Sequence, residues 1–262
     1  MNKYRIIRDY ICYYLKAKTK HSIHSPFVFE FVTKVLNQKA VVNEKILKIE
    51  KLRKELLSSS KEINVKDFGA GSKFAQSSLC VVSKIVKNSS KSKKYSNLLF
   101  RIINYYKLSK ILELGTSAGI SSMYMASASP EIKLITIEGC HETARIAEEN
   151  FNKIGLKNIT QIVGNFDDVL LKVLDREKYF DCVFFDGNHS KDATIRYFEQ
   201  CLPYIGNNTF FIFDDINWSE GMKQAWSYII KHPSVKVSID LFFIGIVFFR
   251  KELSKEDFII RF

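Results

Sequence analysis

Lys110-Ile111-Leu112-Glu113-Leu114-Gly115-Thr116-Ser117-Ala118-Gly119 is the stretch that decides the fold. KILEL is a short apolar run of strand length. Gly115 permits a tight strand-to-helix turn, and Gly119 lets the following helix start close to a ligand. Backbone N–H groups at such a helix start can receive an anion. The spacing is Gly-x-x-x-Gly, which differs from the Gly-x-Gly-x-x-Gly of dinucleotide loops. The loop alone leaves a pyrophosphate ligand open.

Downstream of this turn, apolar strand candidates alternate with helical segments. The strands are KLITIE (133–138), ITQIV (159–163), FDCVFFD (180–186) and TFFIFDD (209–215). Helices are expected near 119–127, 142–154, 168–174, 192–204 and 219–231. Continuous apolar strands separated by helices predict a parallel sheet covered on both faces, and right-handed crossovers make it doubly wound. Two last apolar runs, 235–242 and 245–249, are too close together for a crossover and pair antiparallel. The expected fold is an α/β, doubly wound, Rossmann-like seven-stranded sheet with a terminal antiparallel hairpin and an N-terminal helical appendage. The boundary is placed at 97/98. Residues 1–97 form the helical, basic appendage that covers substrate and sets specificity, and residues 98–262 form the nucleotide-type domain.

Ligands of such sheets bind at the carboxyl ends of the strands. Glu138 ends the second strand, where an acid can bond both hydroxyls of a ribose. Gly164, Asn165 and Phe166 follow the third; the amide can meet an adenine edge and the ring its face. A chain ending in a hairpin rather than a second mononucleotide half favours S-adenosylmethionine (SAM) over NAD. With these residues the chain resembles the class I SAM-dependent methyltransferases over residues 98–262. The resemblance implies cofactor contacts from Glu113, Gly115, Thr116, Ser117, Gly119, Glu138, Gly164, Asn165, Phe166 and Asp186. Asn165 departs from the aspartate common at its position.

Asp186-Gly187-Asn188-His189 ends the fourth strand and Asp214-Asp215 the fifth. Converging carboxylates make an all-oxygen site suited to Mg²⁺. Neighbouring strand residues point to opposite faces, so Asp214 and Asp215 can act together only if the strand breaks between them. DGNH followed by FIFDDINW resembles the cation-dependent O-methyltransferases that include catechol, cephalosporin-hydroxylase-like and sugar O-methyltransferases. That resemblance implies Asp186, Asp214 and Asp215 as metal ligands. His189 stands where the catechol enzymes carry a catalytic lysine; histidine can act as a base near neutral pH, with Lys191 as the fallback.

Composition narrows the partners. Residues 1–110 hold 24 Lys and Arg against 7 Asp and Glu, a charge of +17, while residues 111–262 carry −5. Lysine-rich solvated helix faces account for this more simply than a nucleic-acid partner. Five cysteines without a CxxC pair argue against a disulfide framework and for a reducing, cytoplasmic setting. No apolar run reaches the about 20 residues of a membrane helix, so no membrane partner is expected. The expected activity is Mg²⁺-assisted O-methylation of a small hydroxylated substrate. An RNA methyltransferase and a non-catalytic SAM-binding or nucleotide-binding regulatory module are the alternatives, and a homodimer stays open. DFGAGS (67–72) reads as a turn of the appendage, 87–94 as a flexible connector and 250–257 as charged surface. His21 and His24 read as structural or substrate-lining. Trp218 fits an apolar wall over substrate and a core position equally well.

Overall fold

The structure is a computed structural model that describes residues 3–66 and 77–262. The loop 67–72 lies outside the described residues. Helix α1 (Lys3–Lys16) opens the chain, followed by α2 (Pro26–Phe31), which starts at the proline after Ser25 and runs on as a π-helical turn over Val32–Leu36. Helix α3 (Glu44–Leu57) is capped by Asn43, whose side chain accepts from the Ile46 N–H at 2.9 Å. Strands β1 (Glu62–Lys66) and β2 (Ser77–Val81) form an antiparallel ladder of their own.

Helices α4 (Val82–Ser89) and α5 (Lys93–Tyr106) follow. The connector expected at 87–94 is therefore mostly the end of one helix and the start of the next. Lys87, Lys93 and Lys94 are on the solvated side of α4 and α5, whose other sides bury Val82, Val86, Leu98, Leu99, Ile102 and Ile103.

From Lys110 the expected alternation holds. The elements are β3 (Lys110–Leu114), α6 (Ile120–Ala126), β4 (Lys133–Glu138), α7 (His141–Ile154), β5 (Ile159–Val163), α8 (Phe166–Glu177), β6 (Cys182–Phe185), α9 (Lys191–Cys201), β7 (Phe210–Asp214) and α10 (Glu220–Lys231). The hairpin is β8 (Val237–Asp240) with β9 (Ile244–Phe248), and β10 (Glu256–Ile259) ends the series. The sheet has the order β10-β8-β9-β7-β6-β3-β4-β5. It is mostly parallel; β9 runs against both its neighbours, β7 and β8. The sheet thus has eight strands, not seven. The added strand β10 arises within the run read as charged surface. Glu256 and Asp257 do face solvent, but Phe258 and Ile260 are buried.

The chain divides into two compact units, residues 38–173 and residues 1–37 with 174–262. In the first, β3 and β4 are buried along nearly their whole length, so their ends present loops from a rigid base. In the second, every residue of β6 and β7 is buried. Phe185 and Phe213 stack at 4.4 Å across these strands. All five cysteines are free thiols. No helix of the described residues is long and apolar enough to cross a membrane.

Candidate functional site

The turn after β3 has three residues with left-handed backbone: Gly115 (φ 108), Ser117 (φ 48) and Gly119 (φ 79). Glycine adopts this region freely, but a serine there costs about 1 kcal/mol or more and needs outside support. Ser117 receives it from Glu138. The serine N–H donates to Glu138 Oε2 at 2.8 Å, and the Cys140 N–H donates to Oε1 at 2.9 Å. Burial raises the pKa of this carboxyl, while backbone N–H groups of Cys140, Ser117, Gly139 and Thr116 oppose the rise. Each oxygen retains lone pairs for further donors.

Beneath the turn runs a chain of buried polar groups. Thr116 Oγ1 lies 2.6 Å from Thr136 Oγ1, and Thr136 donates to Glu113 Oε2 at 2.7 Å. Ser122 on α6 donates to the same oxygen. Strand register puts Glu113 opposite Thr136, so this contact follows from β3–β4 pairing. Sequence reasoning missed Thr136 and Ser122; a lone polar residue inside the apolar run KLITIE was the available signal. Glu113 is fully buried, and its Oε1 has no hydrogen-bond partner among the described residues.

Burial raises the Glu113 pKa to about 7. The folded state therefore holds this proton more tightly than the unfolded chain. The resulting stability is complete below the unfolded value near 4.5 and is lost as pH rises through about 7. Denaturant titrations from pH 4.5 to 8 are expected to show this fall, and Glu113→Gln is expected to flatten it.

Gly119 also lies hard against α7. A Cβ there would overlap Cε1 of Phe151 on α7 and lie 2.9 Å from Cζ. The residue is small because α7 packs against the helix start. Gly119→Ala is expected to destabilise the fold by about 1–3 kcal/mol, through overlap and left-handed backbone together. A thermal melt lowered by several degrees, partly restored by Phe151→Leu, checks this.

Gly164 likewise makes room for its own helix, since a Cβ would sit 2.7 Å from Val169 Cγ1. The side-chain oxygen of Asn165 accepts from the Asp167 N–H at 3.3 Å, at the start of α8. Phe166 is buried. The appendage also reaches this region. Ser89 Oγ on α4 lies 2.5 Å from Ser117 Oγ, and Ile63, Val82 and Val86 pack with Ala118 and Ile146.

The second cluster forms at the ends of β6 and β7. Their parallel register pairs Phe185 with Phe213, which brings the next residues, Asp186 and Asp214, side by side. Asn188 turns the chain with φ 48 and returns His189, whose Nε2 lies 3.9 Å from Asp186 Oδ1. One donor atom from each of Asp186, His189 and Asp214 lies within 4.8 Å of the others. Asp215, expected as a ligand, is not in this group. The strand does break after Asp214, and Asp215 takes left-handed backbone at φ 54. Lys191 is exposed at the first residue of α9. Trp218 is exposed rather than in the core.

Residues 112–216 match the family model described as a methyltransferase domain. A catechol O-methyltransferase of Niastella koreensis is 34% identical over 109 residues, which cover 40% of this chain and 48% of the relative. A ribosomal RNA small subunit methyltransferase G of Lachnoclostridium phytofermentans is 28% identical over 102 residues, covering 39% and 40%. The chain thus spans less than half the length of these curated relatives. Among solved structures, the SAH-bound methyltransferase PaMTH1 of Podospora anserina superposes with a TM-score of 0.61 at 14% identity, over 87% of this chain and 98% of that one. An O-methyltransferase of Bacillus cereus in complex with SAH gives 0.56 at 20% identity, over 85% and 97%. Residues 112–216 therefore match a methyltransferase-domain model, in a chain whose fold is similar to that of solved methyltransferases.

Proposed function

We propose that the chain is a SAM-dependent O-methyltransferase acting on a small hydroxylated molecule with the help of a divalent cation. The observation that carries the proposal is the grouping of Asp186, His189 and Asp214 at two adjacent strand ends in a methyltransferase domain. SAM supplies an electrophilic methyl group, and a bound cation lowers the pKa of an acceptor hydroxyl.

The residues present fit both groups. The Glu138 carboxylate has lone pairs for the ribose hydroxyls, and its bonds to Ser117 and Cys140 keep it in place. The unpartnered Oε1 of Glu113 is an acceptor that suits the ammonium of the cofactor's amino-acid end. Asn165 retains its side-chain amide N–H groups for the adenine edge. Asp186 and Asp214 offer oxygens to a cation, with Asp215 next in the chain. Carboxylate oxygens admit Mg²⁺ and also first-row divalent ions. His189, held beside Asp186, takes the acceptor's proton at Nε2. Lys191, exposed on α9, is the second candidate for that role. Residues 1–97 would set acceptor choice, which the contacts of α4 with Ser117 and Ala118 support.

The test is turnover on a panel of catechols and sugar hydroxyls with and without EDTA. Loss of activity in EDTA, restored by Mg²⁺ or Mn²⁺, is expected. Undiminished turnover in EDTA would remove the cation from the mechanism. Consistent lack of turnover despite measured SAM binding would favour a regulatory module.

A second reading, RNA as acceptor, rests on the +17 charge of residues 1–110 and on the similarity to ribosomal RNA methyltransferases. Salt-sensitive RNA binding would favour it, and no binding at low salt would dispose of it.

A further inference from the structure

Helix α1 is apolar on two opposite sides. Its inner side is settled: Tyr13 packs on Phe242 together with Ala17 just past the helix end, and Tyr13 donates to the Ile260 carbonyl. Arg5 donates to the Trp218 carbonyl, and Asp9 pairs with Lys223. The outer side carries Tyr4, Ile7, Ile11 and Leu15, which are 86%, 59%, 52% and 77% exposed. Their spacing of three and four residues makes one continuous stripe on a helix. Four large apolar side chains left this open on a docked helix call for a partner.

Charge decides which partner. From residue 4 to 29 the sole acidic side chain is Asp9, and it is already paired. Arg8, Lys16, Lys18 and Lys20 are all exposed beside or just beyond the stripe. Arg261 stacks on Tyr14 at 3.9 Å and adds a further cation. A second copy would bring like charge against like charge. An anionic lipid surface satisfies both features at once, since acyl chains accept the stripe and headgroups the lysines. At 14 residues the helix is about 21 Å long, too short to span a hydrocarbon core of about 30 Å.

We propose that α1 is an interfacial helix that seats this chain on an anionic membrane surface through Tyr4, Ile7, Ile11 and Leu15. The inference is independent of the activity proposed above. The experiment is co-sedimentation of the full chain with vesicles of phosphatidylcholine alone, or mixed with phosphatidylserine at about one part in three. Binding to the anionic vesicles is expected to be at least about tenfold tighter, and to weaken in about 0.5 M salt. Ile11→Asn with Leu15→Asn, and separately Lys16→Glu with Lys20→Glu, are each expected to weaken it about tenfold or more. All four side chains are exposed, so an unchanged far-ultraviolet circular dichroism spectrum and melting temperature are expected. Equal or absent binding to both vesicle types would overturn the proposal. So would a dimer on sizing chromatography that the asparagine pair dissociates, without any vesicle binding, since a second copy would then cover the stripe.

Discussion

Glu138→Ala is expected to weaken binding of SAM and of its demethylated product by about 100- to 1,000-fold. Two effects combine. The ribose hydroxyls lose a charged acceptor, each such bond being worth about 1.5–3 kcal/mol. Ser117 also loses the bond that supports its left-handed backbone, so the turn relaxes. Glu138→Gln keeps an oxygen but offers an NH₂ where the other stood, and is expected to fall between the two. Calorimetric titration reads both variants. A change under about threefold for the alanine variant would place the sugar elsewhere.

Asp214→Asn is expected to lower turnover on a hydroxylated acceptor by about 1,000-fold while leaving SAM affinity within about twofold. Asp214 is buried at the end of a strand whose other residues are all apolar. A side chain of the same shape keeps that packing, so the loss reports charge rather than folding. The missing charge weakens the hold on a cation and the polarisation of the acceptor oxygen. Turnover measured at saturating SAM over a range of Mg²⁺ concentrations separates the two, because excess cation should partly restore the first. A loss of less than about tenfold would mean that Asp214 serves the fold alone.

Much of the domain was legible because its signals are local. Apolar runs gave β3 to β7, and Gly115 and Glu138 stand where the turn needs them. Other features depend on residues far apart in the chain. The spacing Gly115–Gly119 is readable, but the ring of Phe151 that forbids a larger residue at Gly119 is not. Strand β10 escaped because Glu256 and Asp257 mask a segment whose buried side is only Phe258 and Ile260. The end of α4 escaped because a run of lysines and serines looks the same on a solvated helix face as in a connector. At the acidic ends, alternation warned that Asp214 and Asp215 would point apart. It could not show that Asp215 turns left-handed, or that the turn at Asn188 returns His189 beside Asp186.

A crystal structure with S-adenosylhomocysteine bound tests the account most directly. Both ribose hydroxyls are predicted within about 2.6–3.2 Å of the Glu138 carboxylate, with the amino-acid end over the Gly115–Gly119 turn. A ribose that leaves Glu138 bonded to backbone N–H groups alone, or a ligand seated away from this turn, would contradict it.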